Sequence, residues 1–470
     1  MKLKKELKPL IIVYLLLIVI VVVLIAIADN RSGNSLSTSW SRLKNLSTNT
    51  TFLGVFHILF LLVYLVFLSL RYIRRVYCKH GWLQCLKRTS LHIVLPVGLL
   101  IIGYHAIVGF NTLESYDFDW DYSVENKSGL SKNLYATDGK HRGMSVFGAR
   151  GDSLNGVAEV VKDNIEWVAV IPFMDQKDEE SPILQSSYTD TSRRRDAFTE
   201  AWIQRWHEKG VKVHLKPHIW LSNGWRSNIR LSDADWEIWF DTYHKTMVHY
   251  AKLAESNQVE MLCIGTELRT VIQKLPHKWV PLIEEIRAIY SGKLTYAANW
   301  DDPIDDIPFW SDLDYIGIQA YFPLTEAKSP SLEEIREGWQ KHKEVLIQAS
   351  KNYKLPILFT EVGYRSDVSA TIAPWEWGNR MGALYNKKSD QTQKLAFEAL
   401  FAEFWKESWF AGAYIWQWHT RTDPEKMVKD VDFTPRFKPA ENVIAKWYGR
   451  GGEKVDLKVP LSPADISPKG

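Results

Sequence analysis

Three long apolar runs open the chain, and each predicts a membrane-spanning helix. They cover residues 9–28, 52–70 and 91–110, and none of them contains Lys, Arg, Asp or Glu. A helix of about 20 residues, rising 1.5 Å per residue, crosses a hydrocarbon core of about 30 Å. One such run would also suit a buried core helix. Three in succession, flanked by basic residues, instead predict a membrane anchor over residues 1–110.

Lysine and arginine are distributed unequally around these runs. Four lysines precede the first run, and six basic residues lie in the segment Arg71–Arg88 between the second and third. Cytoplasmic loops are enriched in Lys and Arg, so the pattern predicts a multi-pass inner-membrane protein whose residues from Asn111 onward are extracytoplasmic, in the periplasm. Ala26-Ile27-Ala28 resembles a signal-peptidase site, which leaves open whether the first run is cleaved.

Short apolar runs alternate with amphipathic stretches after a polar segment, residues 111–140, that is predicted to be a linker. The apolar runs predict strands at residues 143–148, 165–172, 212–219, 261–266, 293–299, 314–320, 356–360 and 411–416. The clearest helical patterns cover residues 192–209, 233–256, 278–290, 332–350 and 391–405. Ser232 with Asp235, and Ser331 with Glu334, have the spacing of helix-capping residues.

Eight strand–helix units in succession predict the α/β fold class, with a parallel sheet closed into a (β/α)8 TIM barrel over residues 141–450. The alternative is an open, doubly wound sheet, which the lack of a glycine-rich phosphate-binding motif after the early strands disfavours. The weakest unit lies between Asn299 and Asp314, where only a short helix fits. The Pro-, Lys- and Gly-rich tail, residues 451–470, is predicted to be disordered.

Composition excludes some classes of partner. The net charge is +3, and no basic block in the soluble part is interleaved with aromatic residues, so no nucleic-acid partner is predicted. Three cysteines do not support a disulfide framework. The 21 tryptophans are unusual, because their flat faces suit sugar rings, although packing explains most of them.

Two glutamates end apolar strands where the active site of such a barrel lies. Glu267 follows the fourth predicted strand, and Glu361 follows the seventh. Glycoside hydrolysis needs such a pair, with one carboxylic acid to protonate the leaving oxygen and one carboxylate facing the anomeric carbon. The alternative is two structural glutamates paired with Lys216 or an arginine. The pair, surrounded by aromatic residues, favours catalysis.

Other polar and aromatic residues end the neighbouring strands: Lys216, His218, Asn299, Trp300, Tyr321 and Trp416. His214, Lys216 and His218 alternate on one strand, but no carboxylate stands beside them at metal-ligand spacing. No metal and no cofactor is therefore predicted. The acidic residues between Asp301 and Asp306 are interpreted as a solvated loop, with calcium as the alternative.

An ordered set of motifs resembles glycoside hydrolase family 113. The strongest are Ile264-Gly265-Thr266-Glu267-Leu268 and Phe359-Thr360-Glu361-Val362-Gly363-Tyr364. Lys216-Pro217-His218, Trp416-Gln417-Trp418-His419 and Asp432-Phe433-Thr434-Pro435 add to the resemblance, which covers roughly residues 143–447. Members of that family are retaining (β/α)8 hydrolases, and the characterised ones are β-mannanases and related β-mannoside-cleaving enzymes.

The resemblance implies a role for each matching residue. Glu267 would be the general acid/base and Glu361 the nucleophile. Tyr321 would hydrogen-bond the nucleophile, and Trp416 would be the floor of subsite −1. An asparagine precedes the acid/base in the wider clan, and Thr266 stands there in this chain. Asn299 and His218 are therefore the candidates for contact with the sugar 2-hydroxyl.

The expected function is a membrane-anchored retaining glycoside hydrolase that acts on a β-linked oligo- or polysaccharide by double displacement, and the resemblance to family 113 implies a β-mannosidic bond. Two alternatives stay open: a catalytically silent glycan-binding or sensor module, and a transglycosylase that uses the same site. The sequence does not distinguish the sugar, or internal from terminal cleavage.

Overall fold

The computed structural model divides into two compact units, Met1–Ala106 and Ile107–Gly470. It describes residues 2–31, 39–40, 43–44, 46–47, 50–112, 118–147, 156–185, 190–378, 384, 386–420, 423–427 and 430–451. The tail predicted to be disordered therefore lies outside the described residues, except for Gly451.

Helices occupy the three apolar runs at the start of the chain. They are α1 (Lys2–Arg31), α2 (Thr50–Thr89) and α3 (Leu95–Thr112), and a π-helical turn, Ser90–Val94, precedes α3. Two helical stretches, Lys8–Ile27 and Phe52–Thr112, are long and apolar enough to cross a membrane. Most of their large apolar side chains are exposed, unlike those of a core helix in a soluble protein. Both stretches are candidate membrane spans.

The second stretch reverses its direction at Gly81, where a φ of 75° and a ψ of 177° interrupt α2. Tyr72 Oη lies 3.4 Å from His92 Nδ1, although these residues are 20 positions apart. An unbroken helix would separate them by about 30 Å. The basic segment predicted as a loop is therefore mostly helical, and its reversal is confined to one glycine, which tolerates the left-handed φ.

Eight parallel strands close a barrel in the second unit. These strands are β1 (His141–Phe147), β2 (Trp167–Val170), β5 (Lys212–Leu215), β7 (Met261–Thr266), β8 (Lys293–Asn299), β9 (Tyr315–Gln319), β10 (Ile357–Val362) and β11 (Phe410–His419). Their order around the barrel is β1-β11-β10-β9-β8-β7-β5-β2. All eight predicted strands contribute to the barrel. The closed sheet confirms the (β/α)8 fold and excludes the open, doubly wound alternative.

Helices of varied length surround the barrel; most of them connect its strands, the first precedes β1, and the last two follow β11. They are α4 (Tyr135–Asp138), α5 (Val157–Lys162), α6 (Asp190–His207), α7 (Asp233–Ser256), α8 (Arg269–Lys274), α9 (Trp279–Ile289), α10 (Leu332–Tyr353), α11 (Asp390–Phe404), α12 (Pro424–Met427) and α13 (Pro439–Tyr448). Ser232 caps α7 by accepting from Asp235 N, and Ser331 forms a reciprocal capping box with Glu334 at α10. In the weakest predicted unit, short 3₁₀ turns at Ile304–Asp306 and Trp310–Asp312 replace a helix.

A small second sheet lies beside the barrel and corrects two predicted strands. It contains β3 (Phe173–Asp178), β4 (Leu184–Gln185) and β6 (His218–Asn223), in the order β4-β3-β6. The predicted strands 165–172 and 212–219 both contain a proline, which lacks the N–H that continues a strand ladder. Barrel pairing therefore stops before Pro172 and Pro217, and the residues that follow pair with each other in the small sheet.

The described part of the predicted linker, residues 118–140, lies against the outside of the barrel. Asp121 N donates to Asn442 Oδ1 at 3.0 Å on α13, and Lys162 Nζ lies 3.9 Å from the centre of the Trp120 ring. Further along, Tyr135 N donates to Glu166 Oε2 at 2.8 Å. These contacts position the chain for its entry into β1.

Candidate functional site

Glu361 lies on β10 at the carboxyl end of the barrel, and 3% of its surface is exposed. Lys216 Nζ donates to its Oε1 at 2.7 Å, and Tyr321 Oη donates to its Oε2 at 3.0 Å. His218 Nε2 lies 3.5 Å from Oε1. The carboxylate is therefore held from both sides, with a buried ammonium group beside it.

Glu267 follows β7 directly and is also 3% exposed. Its φ of 54° is left-handed, a backbone conformation that is strained for a residue with a Cβ atom. Arg226 Nη2 lies 2.8 Å from its Oε2, and Gln319 Nε2 donates to its Oε1 at 3.3 Å. Burial raises the pKa of Glu267; Arg226 lowers it, and the charge of Glu361 raises it. The two glutamates thus have different electrostatic surroundings.

Gln319, the last residue of β9, connects the two glutamates. Its Nε2 donates to Glu267, and its Oε1 accepts from Lys216 Nζ at 2.7 Å and from Thr360 Oγ1 at 3.2 Å. Since Lys216 Nζ also donates to Glu361, a continuous chain of hydrogen bonds joins one carboxylate to the other. The two predicted carboxylates are therefore brought into one site.

Lys216 and His218 stand on either side of Pro217, between the end of β5 and the start of β6, and both contact Glu361. Lys216 is fully buried, and its ammonium group also donates to the Thr360 carbonyl oxygen at 3.2 Å. Burial, with the neighbouring charges of Lys216 and Arg226, holds the pKa of His218 well below its ordinary value. His218 is therefore a neutral imidazole beside Glu361.

Aromatic side chains form the wall next to the two glutamates. Tyr321, Trp416 and Phe433 form one buried cluster, with Trp300 packed against it. Burial and the charge of Glu361 raise the pKa of Tyr321 well above its ordinary value, so that its hydroxyl keeps the proton that it donates. The Trp377 ring lies 6.1 Å from that of Trp416, at 83°. Flat apolar faces beside carboxylates are typical of sugar-binding clefts.

The remaining predicted residues lie at the same end of the barrel but have other contacts. Asn299 pairs with Gln319 across strands β8 and β9, and its Oδ1 accepts from Trp300 N at 3.0 Å. The Trp300 ring stacks on that of Trp375 at 4.8 Å, and Trp375 is 42% exposed. These aromatic rings extend the wall away from the glutamates.

Nothing among the described residues suggests a metal site, since no group of three or more His, Cys, Asp or Glu side chains there is arranged to hold an ion. Asp301 and Asp302, in the acidic cluster after β8, form ion pairs with Arg269. His214 is buried inside the barrel against the Tyr414 ring, 4.8 Å away.

The sequence analysis did not propose three residues that belong to the site: Gln319, Arg226 and Phe433. Gln319 stands two positions before Tyr321, at the end of a predicted strand, so its position could have identified it. Phe433 belongs to the Asp432–Pro435 motif, whose place in the fold the pattern does not define. Arg226 lies in a 3₁₀ turn, Arg226–Asn228, of a long loop with no motif around it.

Comparison with known proteins agrees with this geometry. The model of Glycoside Hydrolase Family 113 matches residues 147–438, more than half of the chain. The solved structure of the GH113 β-mannanase AaManA from Alicyclobacillus acidocaldarius, in complex with ManMIm, is 26% identical, with a TM-score of 0.57, and the match covers 66% of this chain and 97% of that one. A GH113 β-1,4-mannanase is 25% identical, also with a TM-score of 0.57, over 66% of this chain and 98% of its own.

No curated protein matches the chain. The family model nevertheless spans the barrel from the end of β1 to the segment before α13, and it includes both buried glutamates. The chain therefore belongs to glycoside hydrolase family 113 and is a glycoside hydrolase.

Proposed function

We propose that this protein is a membrane-anchored, retaining hydrolase of β-mannosidic bonds, with Glu361 as the nucleophile and Glu267 as the general acid/base. The observation that carries the proposal is the asymmetry between the two buried carboxyl groups. Lys216 and Tyr321 donate to Glu361 and stabilise its negative charge. Burial and the charge of Glu361 raise the pKa of Glu267, which favours a proton there.

The first step forms a covalent intermediate. A Glu361 oxygen attacks the anomeric carbon, and the bond from that carbon to the leaving oxygen breaks. Glu267 gives its proton to the leaving oxygen and becomes a carboxylate. In the second step, water attacks the anomeric carbon, and the ester bond to Glu361 breaks. Glu267 takes the proton of the water and returns to its starting form.

The aromatic wall and the neutral imidazole define where the sugar would lie. Trp416 offers its face as the floor of subsite −1, and Tyr321 stands beside the ester-forming oxygens. His218 and Asn299 are the proposed contacts of the 2-hydroxyl group. The assignment to mannose rests on the relatives described as β-mannanases, which share the fold at 25–26% identity.

The function can be tested with the full-length protein in detergent and a panel of β-linked oligosaccharides. We expect β-1,4-mannooligosaccharides to be cleaved, because the site fits two-carboxylate chemistry and the relatives are β-mannanases. Proton NMR during the first minutes should show the β-anomer of the product, because two inversions restore the starting configuration. Initial release of the α-anomer would contradict the retaining mechanism. Cleavage of β-glucosides but not of β-mannosides would contradict the proposed substrate.

We also propose that the helical segment anchors the enzyme with three spans and places residues from Asn111 onward in the periplasm. Lys8–Ile27 supplies one candidate span, and the reversal at Gly81 divides Phe52–Thr112 into two arms. The six basic residues of Arg71–Arg88 favour a cytoplasmic position for that reversal.

Reporter fusions test this topology. Alkaline phosphatase fused after Gly470 is expected to be active, and green fluorescent protein fused there should be dark, because the C-terminus would lie outside the cytoplasm. Fusions at Gly81 serve as the matched control, since they should give the opposite pair of results. A fluorescent, phosphatase-negative C-terminal fusion would disprove the orientation.

A further inference from the structure

A short turn holds Glu267 through both its backbone and its side chain. The turn is Arg226–Asn228, which follows β6. Ser227 Oγ donates to the Glu267 carbonyl oxygen at 2.7 Å, and Arg226 Nη2 lies 2.8 Å from Glu267 Oε2. The ion pair is almost fully shielded from solvent, because only 12% of the Arg226 side chain and 4% of the Glu267 side chain are exposed. An ion pair this well shielded is screened far less than one at the surface.

Arg226 is itself held in place. Its guanidinium group lies 4.6 Å from the centre of the Trp225 ring, and its Nη1 donates to the Ile219 carbonyl oxygen at 3.4 Å. These contacts hold the cation beside one carboxyl oxygen of Glu267, and Gln319 donates a hydrogen bond to the other oxygen.

The charged and titratable groups around Glu267 come from separate elements. They are Arg226 after β6, Lys216 and His218 on either side of Pro217, Tyr321 after β9 and Glu361 on β10. Arg226 and Lys216 favour the carboxylate form of Glu267, whereas Glu361 opposes it. His218 and Tyr321 are held neutral. The protonation of Glu267 therefore depends on the opposing effects of Glu361 and the two cations.

We propose that Arg226 is the positioning residue that converts Glu267 from acid to base once Glu361 has become an ester. This inference rests on the proposed function. Esterification removes the negative charge of Glu361, which is the charge that opposes ionisation of Glu267. Lys216 still donates to Gln319 and to the Thr360 carbonyl oxygen, whereas Arg226 contacts Glu267 directly. The direct ion pair then stabilises the carboxylate that accepts the proton of the attacking water.

Arg226→Met is expected to slow deglycosylation and to let glycosylation continue to higher pH. With 2,4-dinitrophenyl β-mannobioside, whose leaving group needs no proton, deglycosylation limits kcat. Removal of the cation raises the pKa of Glu267 in the glycosyl-enzyme by about one unit. A smaller fraction of Glu267 is then ionised on the acidic limb of kcat, and kcat there should fall about tenfold for this substrate. Its kcat/KM should change little. With a mannooligosaccharide, the alkaline limb of kcat/KM should move to higher pH by about one unit, because an opposite charge at this distance lowers a carboxyl pKa by about 1–3 units.

Two further variants serve as controls. Arg226→Lys keeps the charge and should retain most of kcat. Arg230→Met removes a 66% exposed arginine from the same loop, where it pairs with Glu179 and Glu180, and should behave like the wild type. If Arg226→Met lowers kcat and kcat/KM together, with no movement of the pH profile, Arg226 is only a structural residue and the proposal is wrong.

A titration without turnover separates this proposal from the proposed function. The carboxyl carbon of Glu267 can be followed by NMR in protein labelled with 13C-glutamate, and Glu361→Gln supplies a neutral side chain in place of the ester. We expect Glu267 to titrate at lower pH in Glu361→Gln than in the wild type, and at higher pH again when Arg226→Met is added. An unchanged titration on adding Arg226→Met would overturn the role of Arg226, even if no β-mannoside is cleaved. Inactivity of the wild type on β-mannosides would contradict only the proposed function.

Discussion

Replacement of Glu361 by alanine is expected to abolish turnover of every substrate, with kcat lower by about 10⁴-fold or more, as when other covalent nucleophiles are removed. Leaving-group quality should make no difference, because the attack on the anomeric carbon is lost for good and poor leaving groups alike. The measurement is the rate of release from both an oligosaccharide and an activated aryl β-mannoside.

Replacement of Glu267 by alanine should depend on the substrate. Oligosaccharides have poor leaving groups and need the proton, so their cleavage should fall by about 10²–10⁴-fold. The first step on a dinitrophenyl glycoside should be almost unaffected, and the glycosyl-enzyme should then accumulate because no base activates water. A fast initial burst of dinitrophenol, followed by slow turnover, would show this.

Azide separates the two roles. With Glu267→Ala, azide should attack the glycosyl-enzyme and release the β-glycosyl azide. With Glu361→Ala, azide occupies the vacated side and should give the α-glycosyl azide directly. If the anomers are exchanged, the nucleophile and the acid/base have to be exchanged too. Unchanged activity of both variants on a substrate that the wild type cleaves would mean that the site itself is wrong.

The alanine variants need a check of folding, because Glu361 neutralises a buried lysine. Its removal leaves Lys216 with Gln319 and the Thr360 carbonyl oxygen as partners. Glu361→Gln keeps an oxygen acceptor at the same place and is the matched variant. Equal melting temperatures for Glu361→Gln and the wild type, with activity lost, assign the loss to chemistry and not to unfolding.

The barrel and its two glutamates could be predicted because local patterns determine them. Each strand is one apolar run, and a parallel barrel gathers all the carboxyl ends of its strands at one face. Glu267 and Glu361 therefore meet although they are far apart along the chain. The prediction of two overlong strands shows the limit of this reasoning. The predicted strands 165–172 and 212–219 include Pro172 and Pro217, whereas barrel pairing ends before these prolines and the residues after them pair in the small sheet.

The contacts that distinguish the two carboxyl groups could not be predicted in the same way. Arg226 approaches Glu267 from a loop 41 residues earlier in the chain. Its position depends on the small sheet and on the packing of Trp225, not on any period in the sequence. The structural alternative to catalysis proposed that the two glutamates pair with Lys216 and an arginine. Both of these ion pairs are found in the structure. The same ion pairs serve the proposed chemistry, so pairing and catalysis are not exclusive.

At the opposite end of the barrel, Arg142→Met is expected to lower the free energy of unfolding by about 3–5 kcal/mol, the usual loss when one partner of a buried ion pair is removed. Arg142 is fully buried. Its Nη2 donates to Asp138 Oδ2 at 2.6 Å, and its Nη1 lies 3.6 Å from Glu166 Oε2. Its Nε and Nη2 also donate to the carbonyl oxygens of Tyr448 and Arg450, at 2.8 and 2.7 Å.

This one guanidinium group therefore joins the segment before β1, the start of β2 and the end of α13. Methionine fills similar volume but removes the cation beside two buried carboxyl groups, and it removes the donor to the carbonyl oxygens of Lys140, Tyr448 and Arg450. The matched control is Arg205→Met, which removes an exposed pair with Glu208, and a change of about 0–1 kcal/mol is expected there. Urea unfolding of the full-length protein, followed by tryptophan fluorescence, measures both.

The loss caused by Arg142→Met should also depend on pH. Burial already raises the pKa of Glu166, and Arg142 opposes that rise, so removing Arg142 raises it further. A carboxyl group whose pKa is higher in the folded than in the unfolded protein binds more protons when folded, and its burial therefore destabilises the fold as pH increases through that folded pKa. The loss of unfolding free energy in Arg142→Met should be largest above the pKa of Glu166 in the folded protein. It should shrink as pH falls toward 4.5, the ordinary pKa of glutamic acid. A deficit that is constant from pH 5 to pH 8 would mean that lost hydrogen bonds, and not uncompensated charge, account for the change.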